Sequence, residues 1–247
     1  MATTCPICHG TGWKPVEREG MKGVTRCECV LAEHTPRQFS LARIPPRFLD
    51  CEFDNFEEAT DMLKQAKFMS RRYVEEFRPD TDLGLLYVGP PLTGKTHLAV
   101  AVLKRLITEK GVSGLYYEYN DLLKQIQASY NPITQISEVS VLEPVLQVDV
   151  LLLDNLGAVR PSPWVQDTVG YIINARYNDR RPVLITTNFA DEPPVLFGRE
   201  GASATREDTL GDRVGERVRS RLHAMCKVVL LGEPTQRGGA RKATPHF

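Results

Sequence analysis

Residues 84–102, GLLYVGPPLTGKTHLAVAV, decide the fold, because they contain the pattern G-x-x-x-x-G-K-[ST] between an apolar run and a stretch rich in Ala, Val and Leu. The apolar run 85–88 predicts a short strand, and residues 96–107 predict a helix. In such a strand–loop–helix, the loop and the helix N-terminus present backbone N–H groups to phosphate, so the pattern predicts a nucleotide site. Its candidate ligands are Gly89, Pro90, Pro91, Leu92, Thr93, Gly94, Lys95, Thr96 and His97.

Further polar positions complete the predicted site. The Lys95 ammonium group would neutralise charge on the β and γ phosphates, and the Thr96 hydroxyl would ligate Mg²⁺. Residues 148–155, VDVLLLDN, predict an apolar strand that ends in Asp154, whose carboxylate would lie beside the Mg²⁺. Asn188 ends the following predicted strand. It would either place an attacking water or cap a loop, since open α/β sheets hold ligands at the carboxyl ends of their strands.

Strands and helices alternate after the phosphate loop, which predicts an α/β fold with a parallel sheet. The other predicted strands are 115–117, 148–153, 182–187 and 227–231, and the other predicted helices are 57–77, 164–177 and 213–225. We expect a zinc-binding module at 1–35, a connector with a helix at 36–80, an ATP-binding core at 81–232 and a flexible tail at 233–247.

The composition indicates an ordinary globular protein. Of the 247 residues 42% are hydrophobic, and 31 Lys and Arg balance 31 Asp and Glu. Without net charge, the chain would need a local basic surface to contact DNA. No run approaches the roughly 18 apolar residues of a membrane span, and the N-terminal MATTCPIC lacks the apolar region of a secretory signal. We therefore expect a cytoplasmic protein, whose six cysteines serve as metal ligands or free thiols.

Four of the cysteines form a C-x-x-C and a C-x-C pair separated by eighteen residues, which is close to the spacing of zinc ribbons. Four thiolates on Zn²⁺ would replace the core that this segment lacks the apolar residues to build. The predicted zinc ligands are Cys5, Cys8, Cys27 and Cys29. Because C-x-C is tight, His9 or His34 could substitute for one ligand, and reduced free cysteines are the alternative. We expect Cys51 and Cys226 to be buried as small hydrophobic residues.

Taken together, the motifs resemble the DnaC/DnaI-type helicase loaders and their relatives, the IstB-type transposition helper ATPases, within the AAA+ class. The resemblance covers about residues 44–231. It depends on IPPRF (44–48), FDNF (53–56), residues 84–102, VDVLLLDNLGA (148–158), ITTNF (185–189) and GERVRSRL (215–222). It implies a P-loop AAA+ core with a parallel sheet and, since sixteen residues follow Leu231, no helical lid. The N-terminal cysteine pattern also resembles the metal module of DnaI-like loaders.

The resemblance assigns roles to polar residues near the end of the core. Asn188 corresponds to the residue called sensor 1, and Arg217 or, second, Arg221 would act as an arginine finger on a neighbouring subunit's γ-phosphate. Without the resemblance, the arginines at four-residue spacing would indicate a solvated basic helix face. The predicted catalytic residues are Lys95, Asp154, Asn155, Asn188, Arg217 and Arg221.

Two residues depart from the family pattern. Leu92 replaces a usual glycine and would cost about 1 kcal/mol if the backbone there needs positive φ. Asn155 replaces the acidic residue that polarises the attacking water. Since an amide orients water but does not accept its proton, we expect slow ATP hydrolysis unless Asp149 or a partner supplies a carboxylate.

Three functions fit these patterns. The first is a helicase loader in DNA replication, which binds Mg-ATP, self-associates in the ATP state, contacts single-stranded DNA and delivers a replicative hexameric helicase. A helix around 121–130 would then place Lys124 against phosphate and Tyr130 against a base, or would be an ordinary surface helix. The second is a transposition helper, although IstB-like proteins generally lack a zinc module. The third is a nucleotide-gated scaffold that does not hydrolyse ATP.

Overall fold

The computed structural model describes residues 5–9, 11, 13–18, 21–27, 39–78, 83–131, 137–191 and 208–232. Its largest feature is a five-stranded parallel sheet, which confirms the predicted α/β class. A separate antiparallel hairpin is formed by β1 (Trp13–Arg18) and β2 (Met21–Arg26). The strands of the sheet are β3 (Gly84–Val88), β4 (Gly114–Glu118), β5 (Val150–Leu156), β6 (Val183–Thr187) and β7 (Cys226–Leu230).

The strands of the sheet are arranged in the order β4-β5-β6-β3-β7. The phosphate-loop strand β3 is therefore internal, and it pairs with β6 and β7, which both come later in the chain. All four pairings are parallel, so the carboxyl ends of the strands meet at one edge. That edge is where an open α/β sheet binds ligands.

Helices cover both faces of the sheet, which explains why the strands β3 to β6 are almost entirely buried, whereas three residues of the edge strand β7 are exposed. One face packs against α1 (Asp61–Glu76) and α2 (Lys95–Arg105), and a π-helical turn, Leu106–Lys110, extends α2. The opposite face carries α3 (Tyr119–Ser129), α4 (Glu138–Gln147), α5 (Pro163–Asn178), α6 (Leu210–Val214) and α7 (Glu216–Met225). No described helix has the length and apolar character that a membrane span requires.

The segment before the sheet packs into the same hydrophobic cluster as α2. Phe53, Phe56 and Tyr73 are almost fully buried there. The Tyr73 hydroxyl also donates to the Leu83 carbonyl at 2.9 Å, which ties α1 to the chain just before β3. A short 3₁₀ helix, Pro46–Phe48, brings the IPPRF motif toward the ligand edge of the sheet.

Three helices differ from the sequence prediction. The helix predicted at 57–77 begins only at Asp61, because the Thr60 side chain caps it by accepting from the Leu63 N–H. The helix predicted at 213–225 is divided into α6 and α7 at Gly215, whose φ of 87° is not helical. Helix α4 was not predicted, since it buries few apolar residues and contains Pro144.

Candidate functional site

The phosphate loop joins β3 to α2 at the ligand edge, as the pattern predicted. Gly94 has a φ of +89°, and a Cβ atom there would lie 2.5 Å from the Phe56 ring, so the position needs glycine for both backbone and space. Leu92 has a φ of +65°, and its side chain is fully exposed. The backbone at Leu92 thus has the positive φ at which a leucine in place of glycine strains the loop. Pro90 and Pro91 have no N–H, so the donors of a phosphate cradle must come from Leu92 onward.

Lys95 folds back into this loop. Its side chain is only 7% exposed, and Nζ donates to the Pro90 carbonyl at 2.6 Å. Burial lowers the pKa of Lys95 to about 8, although the nearby Asp154 carboxylate opposes this. An anionic phosphate would therefore be a better partner than the carbonyl, because it stabilises the charged form of the lysine.

Asp154 connects three elements through its carboxylate. Its Oδ1 accepts from the Thr96 hydroxyl at 2.7 Å and from the Thr186 hydroxyl at 2.6 Å. Its Oδ2 accepts from the Tyr116 hydroxyl at 2.9 Å. Burial and the neighbouring carboxylate raise the pKa of Tyr116, so the phenol stays neutral and keeps its proton to donate. The structure thus places Asp154 beside Thr96, in a hydrogen-bonded network that the sequence predicted only at these two residues.

The donor set beside α2 fits a magnesium ion. Thr96 and Asp154 offer a hydroxyl and a carboxylate oxygen, and Mg²⁺ prefers such hard oxygen ligands together with waters and phosphates. Both residues line the same cavity as Lys95. They would hold Mg²⁺, and the ion would supply positive charge to the phosphate site.

Asn155 and Asn188 form a second polar pair at this edge. Asn155 has a φ of +63° and lies where the register between β5 and β6 shifts. Its N–H donates to the Thr186 hydroxyl at 2.8 Å. The Asn188 side-chain amide donates to the Asn155 side-chain oxygen at 3.2 Å. The two amides therefore lie together in the cavity beside Asp154.

A cavity of about 810 Å³ unites these groups. Besides the predicted residues, it is lined by side chains that sequence analysis did not assign to it: Arg47, Phe48, Cys51, Glu118, Asp121 and Thr186. The IPPRF motif was the available signal for the first two. The others reach the cavity only through strand pairing and chain folding.

Asp149 does not reach this cavity. It precedes β5, at the strand end opposite to Asp154, and its carboxylate accepts from the Ser113 N–H and hydroxyl at 2.8 Å each. Asp149 is therefore not the source of a catalytic carboxylate at this cavity.

The predicted arginines lie on α7, and neither lines the cavity within the part of the chain that the structure describes. Arg217 is exposed, while the Arg221 guanidinium stacks on the Tyr177 ring at 4.4 Å. Arg213 lies on α6 and has a different role. It donates to the Gly157 carbonyl at 2.7 Å and so secures the loop that follows β5. A finger role for Arg217 or Arg221 would require a neighbouring subunit.

The cysteines near the N-terminus lie together. The sulfur atoms of Cys5, Cys8 and Cys27 are all within 4.8 Å of one another, and those of Cys5 and Cys27 are 3.7 Å apart. Thiolates on a tetrahedral Zn²⁺ at about 2.3 Å would be roughly 3.8 Å apart, so the group fits the ion. Cys29 and His34 lie outside the described residues. His9 is described and exposed, and it is not among the clustered side chains.

Comparisons with known proteins identify the family of this chain. A family model described as IstB-like ATP binding protein matches residues 33–203. The chain is 28% identical over 163 residues to the replicative helicase loader DnaC of Escherichia coli (strain K12), covering 66% of this chain and 65% of that protein. It is 25% identical over 224 residues to the uncharacterised protein YqaM of Bacillus subtilis (strain 168), covering 85% and 64%. The chain thus spans less than two thirds of the length of these curated relatives.

Solved structures agree with this assignment. A crystal structure of the DnaC helicase loader is similar with a TM-score of 0.63 and 30% identity, covering 76% of this chain and all of that one. A crystal structure of DnaI has the same TM-score at 22% identity, covering 79% of this chain and all of that one, which supports the fold alone.

Proposed function

This chain belongs to the IstB-like ATP binding protein family, and from that premise we infer that it binds Mg-ATP, hydrolyses it slowly and loads a replicative helicase onto single-stranded DNA. The predicted family is thereby confirmed, whereas the activity and the partners are our proposal. The observation that carries the proposal is the hydrogen bond between Thr96 and Asp154, because it joins the phosphate loop to the carboxylate of β5.

Each group at the ligand edge has a defined task in ATP binding. The Lys95 ammonium group leaves the Pro90 carbonyl and pairs with the phosphates, while loop N–H groups from Leu92 onward orient them. Thr96 and Asp154 hold Mg²⁺. When bound, Mg²⁺ neutralises charge that develops on the phosphate oxygens.

Hydrolysis is proposed to be slow because of the polar pair beside Asp154. Asn155 and Asn188 orient a water through their amides, but an amide does not accept a proton as a carboxylate does. Removing a general base typically slows a reaction about 10²–10⁴-fold. A loader tolerates this, since ATP binding holds one conformation and eventual hydrolysis resets it.

The partners are proposed from the names of the relatives and from the surface of the chain. Relatives in Escherichia coli and Buchnera aphidicola are named replicative helicase loaders. We assign the helicase contact to the zinc-binding module (1–35) and the connector (36–80), and the contact with single-stranded DNA to α3. On α3 Lys124 is exposed for phosphate, and just after the helix the half-exposed Tyr130 ring lies edge-on to Trp164 with ring centres 6.4 Å apart.

Cosedimentation with the purified replicative helicase of the source cell tests the loader function. We expect a complex in Mg-ATP that forms less well with the Lys95→Ala variant, and transfer of the helicase to single-stranded DNA. Absence of any complex with wild-type protein would reject the loader. Capture of a transposase from the same cell instead would favour the transposition helper. A complex that requires ATP but persists without turnover would favour the scaffold.

A further inference from the structure

A second carboxylate faces the cavity from the strand next to Asp154. Glu118 is the last residue of β4, and in the parallel register it lies opposite Asp154 on β5. Neighbouring strands are about 4.8 Å apart, so the two backbones are adjacent. Both residues line the cavity that holds Lys95 and Thr96.

The direction of the Glu118 side chain follows from its strand. Alternate residues of a strand point to the same face, so Glu118 shares a face with Tyr116. The Tyr116 hydroxyl donates to Asp154 at 2.9 Å on that face. Glu118 is therefore the next position outward from a residue already in contact with the carboxylate network, toward the open end of the site.

Glu118 is also held in place by the following helix. It is the N-cap residue of α3, and its Oε2 accepts from the Asp121 N–H at 2.9 Å. An ionised carboxylate has about four acceptor positions. The cap occupies one of them and fixes the side chain at the cavity without using up its capacity to bind water.

We propose that Glu118 is a catalytic residue of ATP hydrolysis, in the role that Asn155 leaves vacant. Its carboxylate orients a water that the amides of Asn155 and Asn188 also hold, and accepts a proton from it. The water oxygen forms a bond to the γ-phosphorus, and the bond from that phosphorus to the β–γ bridging oxygen breaks. The electron pair of that bond leaves on ADP, and Glu118 passes the proton to solvent.

This inference rests on the proposed binding of ATP, and the Glu118→Gln variant tests it. Glutamine keeps the length of the side chain and an oxygen that caps α3, but it does not accept a proton. We expect single-turnover hydrolysis to fall about 100-fold, with Mg-ATP affinity within about twofold of wild type. Binding of ADP with aluminium fluoride, measured by calorimetry, should weaken about tenfold, because this mimic of the transferring phosphoryl group depends on the positioned water.

Asp149→Asn is the control, since it neutralises a carboxylate at the opposite strand end that does not reach the cavity and keeps an oxygen for the Ser113 hydrogen bonds. It should hydrolyse ATP like wild type. Adding Asn155→Glu to Glu118→Gln should restore hydrolysis by returning a carboxylate, which a folding defect would not permit. Wild-type hydrolysis by Glu118→Gln, or a wild-type protein that binds but never hydrolyses ATP, would overturn this inference alone. Failure of the wild type to bind Mg-ATP would overturn the proposed function as well.

Discussion

At the scale of single residues, Lys95 is the group most sensitive to its surroundings. Burial has brought its pKa to about 8, and phosphates bind its protonated form. Below pH 8 the lysine is already charged, whereas above pH 8 binding must also take up a proton. We expect Mg-ATP affinity measured by calorimetry to be flat from pH 6.5 to 7.5 and to fall by about tenfold per pH unit above pH 8. A flat profile up to pH 9.5 would contradict this.

The Lys95→Ala variant supplies the reference for that measurement. It should weaken Mg-ATP binding by about 100-fold, because charge-assisted hydrogen bonds of about 1.5–3 kcal/mol are lost. The core should stay folded, since Nζ contacts the loop and not the sheet. Circular dichroism and calorimetry report the two properties separately. Wild-type Mg-ATP affinity in this variant would show that Lys95 does not bind the phosphates.

Leu92 offers a test of backbone strain in the loop. Its side chain is exposed, and its backbone adopts a left-handed conformation, which costs an L-residue about 1–2 kcal/mol. Leu92→Gly should relieve part of this and raise the free energy of unfolding by about 0.5–1 kcal/mol relative to Leu92→Ala, which keeps the conformation and also lacks the large side chain. Urea denaturation of the pair measures the difference. A less stable glycine variant would mean that the loop is not strained here.

Asn155 limits the rate in our interpretation even with Glu118 as the proton acceptor, because the position beside Asp154 itself lacks a carboxylate. Asn155→Glu should raise the ATPase rate about tenfold, while Mg-ATP affinity stays within about twofold. Because a glutamate adopts the left-handed conformation of this position less readily than asparagine, the variant should also be slightly less stable. Asn155→Gln has the same length without the charge and should not gain activity. An unchanged rate in Asn155→Glu would show that the site is not limited by the lack of this carboxylate.

The sequence could identify site residues only where a local motif holds them. Lys95, Thr96 and Asp154 lie in such motifs, and the structure places them together. Tyr116 and Thr186 contact Asp154 from 38 and 32 residues away. Their contribution depends on which strands neighbour β5, which no local pattern contains.

At the scale of elements, β3, β4, β6 and β7 lie within one residue of their predicted bounds, because buried parallel strands are short apolar runs between turn residues. Strand β5 was predicted at 148–153 but begins at Val150 and continues past Asp154 to Leu156, and the hairpin strands β1 and β2 were not predicted. Helix ends were predicted less well, since they depend on hydrogen bonds rather than on apolar spacing. The break between α6 and α7 is an example. The Thr209 and Asp212 side chains form a capping box that starts α6, and Arg213 turns to the loop after β5. A helical wheel places Arg213 on the same face as Arg217, but Arg213 contacts the loop after β5, whereas Arg217 is exposed.

The hairpin β1–β2 lies in the sequence between the two cysteine pairs, and the sulfur atoms of Cys5, Cys8 and Cys27 lie together. We expect one Zn²⁺ per chain and its loss in a Cys27→Ser, Cys29→Ser double variant, because two of four thiolates are removed. Elemental analysis measures the ion. Cys226→Ser is the control and should keep the metal, since Cys226 is buried in the core of the sheet. Full zinc content in the double variant would disprove the ligand assignment.

At the scale of the whole molecule, we predict that an arginine of α7 acts as a finger between subunits, because neither Arg217 nor Arg221 lines the cavity among the described residues. Arg217 is exposed and does not line the cavity of its own chain as far as the described residues extend. We expect sedimentation in Mg-ATP to show assemblies that the Arg217→Ala, Arg221→Ala double variant loses while its monomer still binds ATP. Arg72→Ala, on the exposed face of α1, should assemble normally. A wild type that stays monomeric with ATP and DNA would contradict the prediction.

The order of the strands also has a consequence for when a newly synthesised chain can bind nucleotide and assemble. Strand β3, which leads into the phosphate loop, lies between β6 and β7, and both are synthesised after it. Just before Gly89, the Val88 carbonyl accepts from the Leu231 N–H at 2.8 Å. The ribosome needs roughly 7–30 s to extend the chain from β3 to β7 at about 5–20 residues per second. Until then β3 lacks one of its two neighbouring strands. Nascent chains should therefore remain outside any nucleotide-dependent assembly until β7 has emerged and docked, so that the parallel topology excludes unfinished subunits.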